Sequence, residues 1–136
     1  MSQTQIQANA MSDTIYALAT AQGRSAVQIM RISGGRAKTL LTQLTGRDIP
    51  PRIASFAELR LDDALMNGAV IDQALVLFFE GPASATGEDT AELHLHGSPV
   101  LSQILLDWLA LQPSTRIADR GEFTRRGFLN GKINLD

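Results

Sequence analysis

Residues 90–97 read TAELHLHG, and this segment constrains the fold most because its polar and apolar residues alternate strictly. A period of two predicts a strand with one buried face. Ser98 and Pro99 follow as an N-cap and a first helical residue, and apolar residues then recur at helical spacing through Leu109. The sequence therefore predicts a strand that leads directly into an amphipathic helix.

The rest of the chain also alternates between strand and helix patterns. Further strands are predicted at Thr14–Thr20, Ala26–Ser33 after a turn at Gln22 and Gly23, Ile53–Leu61, Ala74–Phe79 and Arg116–Ala118. Further helices are predicted over Ala37–Leu44, with Ser33 near the N-cap and Gly46 past the end, and around Phe123–Phe128. Because Ala74–Phe79 is continuously apolar, we expect a fully buried, central strand there. This order predicts an α/β or α+β fold with a mixed sheet flanked by helices.

Length and composition limit the classes of protein to which this chain can belong. The 136 residues suit one domain, which we expect at 13–136, after a disordered leader at 1–12. The net charge is −2 and the twelve Lys and Arg residues are spread along the chain, so autonomous nucleic-acid binding is not expected. The sequence has no cysteine and no long apolar run, and we predict a cytoplasmic protein that does not enter a membrane.

Three places hold residues that suggest chemistry. Arg31 shares a predicted strand face with apolar residues, where it either pairs with a structural carboxylate or clamps a ligand. Glu92, His94 and His96 share another face, where they are weak candidates for a metal, although a carboxylate there also suits paired N–H donors of an amino-pyrimidine. Lys132, after a predicted turn, is typical of a solvated surface lysine. No glycine motif for phosphate binding is complete.

Four stretches carry a resemblance to a known family. They are DTIYALAT, GRSAVQIMRISG, GPASATGEDTAELHLHGSP and TRIADRGEFTRRGFLNGKINLD, which occur in this order from Asp13 to Asp136. They resemble the N-terminal domain of the tRNA modification GTPase family known as MnmE or TrmE. The sequence departs from the family pattern at Ala85, where an aromatic residue is usual, and at Arg120, where proline is usual.

The resemblance implies a folate-binding domain that forms a homodimer and is similar to the tetrahydrofolate-binding domain of glycine-cleavage aminomethyltransferases. By motif, Arg31, Glu92 and Lys132 match the residues that contact the folate, which is expected to be 5-formyltetrahydrofolate or 5,10-methylenetetrahydrofolate. No catalytic residue and no metal ligand is implied for this segment. Two alternatives are a free-standing folate-dependent aminomethyltransferase-like enzyme and a purely structural dimerisation module.

For the full-length protein, the resemblance implies a GTP-hydrolysing enzyme that helps install a 5-(carboxymethyl)aminomethyl group on wobble uridine (U34) of tRNA. The folate would supply the one-carbon unit, and a flavoprotein of the GidA or MnmG type and tRNA would be the partners. We expect the helical and GTPase domains, together with GTP, Mg²⁺ and K⁺, to lie outside this chain, so this segment alone carries no GTPase motif.

Overall fold

The computed structural model describes residues 13–20 and 27–132. The described residues form six strands and three helices: β1 (Thr14–Thr20), β2 (Gln28–Ser33), α1 (Ala37–Thr45), β3 (Ser55–Arg60), β4 (Val70–Phe79), β5 (Thr90–Leu95), α2 (Pro99–Ala110), β6 (Thr115–Ile117) and α3 (Glu122–Leu129). The predicted leader at 1–12 and the predicted turn at Gln22 and Gly23 lie outside the described residues.

The strands form one sheet in the order β3-β4-β5-β2-β1-β6. Neighbouring strands are antiparallel except β1 and β6, which run parallel. The prediction of a mixed sheet with helices is therefore confirmed. The similarity to an aminomethyltransferase domain and the domain bounds stay predictions.

Helices α1 and α2 pack on one face of the sheet, because alternate strand residues supply that face with apolar side chains. Along β2, Met30 and Ile32 are fully buried, whereas Arg31 between them points to the other face and is 42% exposed. The core between the sheet and the two helices includes Met30, Ile32, Leu40, Leu44, Val76, Leu93, Leu105 and Trp108. The opposite face of the sheet is left for the candidate site.

Sequence patterns located the start of α2 but not the start of α1. Ser98 caps α2 by accepting a hydrogen bond from the Leu101 N–H, and Pro99 is its first residue, as predicted. The prediction for Ser33 was wrong, since the N-cap of α1 is Arg36, and Ser33 is the buried last residue of β2. Its hydroxyl is used by a tertiary contact with Thr86 instead of by a helix end.

Strand β4 has neighbours on both sides, as its apolar run predicted, but it is longer and less buried than expected. It begins at Val70, and its residues alternate between buried and partly exposed positions. The apolar residues of its second face, including Leu75, Leu77 and Phe79, are only half-buried. A continuous apolar run therefore marked a strand that buries one face in the helical core and leaves the other face partly open.

Leu93 lies in β5 at the centre of the core and is fully buried. Leu93→Ala should lower the free energy of unfolding by about 2–5 kcal/mol, because it removes buried methyl groups and leaves a cavity. Urea denaturation measures this loss. Leu65→Ala is the control, because that leucine is 83% exposed and its loss should change stability by no more than about 0.5 kcal/mol. Equal losses in both variants would contradict the assigned core.

Candidate functional site

A pocket of about 420 Å³ lies on the sheet face opposite α1 and α2. Small-molecule sites typically enclose roughly 300–1,000 Å³. Strands β2, β4 and β5, the β4–β5 loop, and α3 with the turn after it form its walls. The lining residues are Arg31, Phe79, Ala85, Thr86, Thr90, Glu92, Phe123, Thr124 and Lys132. The structure thus brings the three sequence-predicted site residues, Arg31, Glu92 and Lys132, to one pocket.

Arg31 and Glu92 form an ion pair across the two central strands. Antiparallel pairing of β2 and β5 places the two residues directly opposite each other. Arg31 donates from Nε and Nη2 to Glu92 Oε2 at 2.9 and 2.8 Å. Their side chains are 42% and 19% exposed, so both remain accessible from the pocket. Arg31 therefore has the structural carboxylate partner that the sequence left open, and the pair itself lines the site.

The second carboxylate oxygen of Glu92 is available to a ligand. Its nearest ion-pair contact is His94 Nε2, at 3.9 Å from Oε1, which is beyond hydrogen-bond distance. Among residues 13–20 and 27–132, no hydrogen bond to Oε1 is found, and His94 Nε2 is buried without a hydrogen-bond partner. This edge of the pocket can therefore accept an N–H donor from a bound molecule.

His96 lies outside the pocket that Glu92 lines. It follows the end of β5, and its Nδ1 lies 3.2 Å from the Gln73 carbonyl oxygen. Its backbone N–H donates to the Asp72 carboxylate. Within the part of the chain that the structure describes, no three acidic, histidine or cysteine side chains are arranged to hold a metal ion. Of the three polar side chains predicted to share a face, only Glu92 lines the pocket.

Helix α3 supplies an aromatic wall and positions Lys132. The Phe123 ring lies beside the Arg31 guanidinium, with 5.7 Å from the guanidinium carbon to the ring centroid. The helix ends in a turn in which Gly131 has φ of 72° and the Lys132 N–H donates to the Gly127 carbonyl. This C-terminal turn requires the left-handed conformation that glycine adopts easily. Lys132 is exposed, as predicted, and lies at the rim of the pocket.

Hydroxyl groups line the end of the pocket nearest the β4–β5 loop. Ser33 Oγ lies 2.8 Å from Thr86 Oγ1, and Thr86 Oγ1 lies 3.2 Å from Thr90 Oγ1. Of these residues, Thr86 and Thr90 line the pocket, and neither was among the predicted site residues. Thr90 could have been found, because it precedes Glu92 by two residues and therefore shares its strand face. Thr86 sits in the loop, where no periodic signal exists.

A cluster of buried charges behind the pocket was also missed. The helix predicted around Phe123–Phe128 is present as α3, and its buried residues are Glu122, Arg126 and Gly127, whereas Phe128 is 47% exposed. Glu122 accepts from Arg126 Nη2 at 3.1 Å. It also accepts from both terminal nitrogens of Arg116, at 2.7 and 2.6 Å. The i, i+4 spacing of Glu122 and Arg126 was the available signal.

The surroundings of Glu122 favour its charged form. Burial alone would raise the pKa of this carboxyl group. Hydrogen bonds from Arg116 and from the Asp119 N–H, together with the charges of Arg116 and Arg126, outweigh burial and lower the pKa to about 2. Glu122 also raises the pKa of Arg116. The cluster is therefore held as charged, mutually compensating groups.

The fold and the pocket define a small α/β domain with the features of a ligand-binding module: a half-open cavity with two cations, one carboxylate and two aromatic rings. The family model described as "GTP-binding protein TrmE N-terminus" matches residues 14–132. The chain belongs to this family, as its motifs predicted.

Curated relatives are similar over almost the whole chain. The tRNA modification GTPase MnmE of Bradyrhizobium sp. strain BTAi1 is 53% identical over 122 residues, which are 90% of this chain and 26% of that protein. The tRNA modification GTPase MnmE of Caulobacter vibrioides is 50% identical over 125 residues, which are 92% of this chain and 27% of that protein. The chain thus spans about a quarter of the length of these relatives. Across the described residues, no helix has the length and apolar character to cross a membrane.

The ionisation of Glu122 should make the free energy of unfolding depend on pH. Its folded pKa of about 2 lies below the ordinary value of 4.5, so its contribution is complete above about pH 4.5 and is lost as pH falls toward 2. As pH falls from about 6 to about 3, protonation of Glu122 should lower the free energy of unfolding by on the order of 2 kcal/mol. Urea unfolding at both pH values tests this.

The matched variant is Glu122→Gln, which keeps the shape of the side chain and cannot titrate. Its unfolding free energy should be lower than that of the unaltered chain at pH 6, and the gap should narrow at pH 3. A gap of the same size at both pH values would show that Glu122 does not carry the acid sensitivity.

Proposed function

We propose that this chain binds a reduced folate and forms a homodimer as the N-terminal domain of a tRNA modification GTPase. The observation that carries the proposal is the pocket carboxylate of Glu92, which Arg31 holds through one oxygen while the other oxygen is left for a ligand. Membership of the TrmE N-terminus family supports the same function.

The groups around the pocket fit the chemistry of a folate. A pterin presents adjacent amino and ring N–H groups, and a carboxylate such as Glu92 accepts paired donors of this kind. Folates also carry carbonyl and carboxylate oxygens, which Arg31 and Lys132 can meet with their positive charges. Phe79 and Phe123 add aromatic surface to the same cavity. Either 5-formyltetrahydrofolate or 5,10-methylenetetrahydrofolate suits these groups.

For the full-length protein, we infer GTP hydrolysis by a further domain and modification of U34 in tRNA together with a GidA-type flavoprotein, in the cytoplasm. The relatives' name, tRNA modification GTPase, supports the GTPase and tRNA parts of this inference. The bound folate would supply the one-carbon unit. The residues of this chain would bind and orient it, and GTP, Mg²⁺ and K⁺ would belong to the further domain.

Calorimetric titration with 5-formyltetrahydrofolate tests the binding function. The purified domain should bind saturably, and Glu92→Ala should weaken binding at least about tenfold, because hydrogen bonds to a charged partner contribute roughly 1.5–3 kcal/mol. Arg31 is 42% exposed, so water can solvate it when Glu92 is removed and the variant should stay folded.

Glu58→Ala is the matched control. Glu58 is also a strand glutamate paired with an arginine, Arg60, but it is half-exposed on β3 and lies away from the pocket. The Glu58→Ala variant should bind folate as tightly as the unaltered chain does. A folded domain that binds no folate would leave the structural dimerisation module as the function.

The homodimer is tested separately by sedimentation equilibrium. The face of the sheet beyond the pocket supports self-association, since Phe56 is 70% exposed and Leu75 and Leu77 are only half-buried. The purified chain should sediment with twice its monomer mass at micromolar concentration. A monomer mass across the accessible concentration range would refute the dimer without bearing on folate binding.

A further inference from the structure

Two walls of the pocket come from segments that are distant in sequence and do not pair in the sheet. The β4–β5 loop, residues 80–89, contributes Ala85 and Thr86, and α3 with its C-terminal turn contributes Phe123, Thr124 and Lys132. The width of the pocket therefore depends on what holds the loop and α3 against each other.

Arg126 is the first connection between the two walls. It lies on α3, is 1% exposed, and donates from Nη1 to both carboxylate oxygens of Glu88 in the loop, each at 3.1 Å. The same nitrogen donates to the Asp13 carbonyl at 2.8 Å. Glu88 Oε1 also accepts from Ser33 Oγ at 3.0 Å, so this connection extends to the end of β2.

Asn130 is the second connection. Its Nδ2 donates to the Thr86 carbonyl at 2.8 Å, directly behind a residue that lines the pocket. The loop backbone also lies against Asn130 at Gly87, where an added Cβ would stand 2.7 Å from Asn130 Cβ. Gly87 also has φ of 81°. The position therefore needs glycine for two reasons, the absence of a Cβ and the ease of a positive φ.

Neither connection touches the space that a ligand would fill. Glu88, Arg126 and Asn130 are absent from the residues that line the cavity. They contact the loop, α3 and the end of the sheet, and they can act on a ligand only through Ala85, Thr86, Phe123 and Lys132. A loop that is already fixed loses less conformational entropy when a ligand binds.

We propose that Arg126 and Asn130 are positioning residues that hold the β4–β5 loop against α3 and so preform the pocket. The proposal rests on the proposed folate function for its effect on affinity, while the hold on the loop exists without any ligand. Cutting either connection should release the loop without changing any group that faces the ligand.

For each connection, the variant removes the side chain whose loss should disturb folding least. Glu88→Ala removes the carboxylate, which is 18% exposed, and leaves the buried Arg126 guanidinium with Glu122 and the Asp13 carbonyl. Asn130→Ala removes the contact with Thr86. Glu58→Ala is the control, since it removes an equivalent carboxylate far from both walls.

Two measurements are made on each variant: hydrogen exchange of the ligand-free protein, and calorimetric titration with 5-formyltetrahydrofolate. Both variants should show faster amide exchange at residues 84–88, with β5 and α2 unchanged. Each should bind folate roughly tenfold more weakly, in line with couplings between residues in contact. Glu58→Ala should match the unaltered chain in both measurements.

The proposal would be overturned if, in both variants, amide exchange at residues 84–88 or the affinity for folate were the same as in the unaltered chain. Faster exchange throughout the domain would also overturn it, because that would make the two residues general contributors to stability. If the unaltered chain binds no folate, the proposed function fails, and local exchange at 84–88 still decides whether the two residues hold the loop.

Discussion

The pairing of β2 with β5 is the constraint on which the rest of the domain depends. These strands join the β3-β4-β5 half of the sheet to the β2-β1-β6 half, although about 60 residues separate them along the chain. Their register sets Met30 opposite Leu93 on the core face and Arg31 opposite Glu92 on the other face. A slip of one residue would exchange the two faces, so the same hydrogen bonds specify both the core and the pocket.

The two faces of the sheet use different physical interactions. On one face, apolar side chains from α1 and α2 exclude water and form the main core. On the other, α3 meets the β4–β5 loop through the ion pair of Arg126 with Glu88 and through the hydrogen bond from Asn130 to Thr86, and Arg126 is almost fully buried. A charged side chain can be buried at low cost only when it has a well-placed partner, and such contacts are directional. This face can therefore hold precise geometry around a polar pocket.

The sequence predicted the parts of the fold that are encoded by local periodicity. Alternation along 90–97 and the Ser98-Pro99 cap gave β5 and the start of α2 almost to the residue. The sequence also predicted α3 around Phe123–Phe128, but it did not show which side of that helix is buried, because partners far along the chain decide this. Arg126 contacts an Asp13 carbonyl 113 residues away, and no local pattern contains such information.

The candidate site was predictable to a similar extent. Motif resemblance selected Arg31, Glu92 and Lys132, and strand alternation gave the direction of the first two side chains. The pairing of Arg31 with Glu92 depends on the register of strands that are not neighbours in sequence, so it could not be read from either strand alone. The loop residue Thr86 and the ring of Phe123 enter the pocket through tertiary contacts and carry no comparable signal.

The parallel pairing of β1 with β6 joins the beginning of the described chain to a segment about 100 residues later. Asp13 also bonds to Arg116 across 103 positions. During synthesis, β1 can pair with β2 early, but its other edge stays unpaired until β6 has been made. Because α3 follows β6 along the chain, we expect the pocket walls that α3 supplies to form after the strands that they cover.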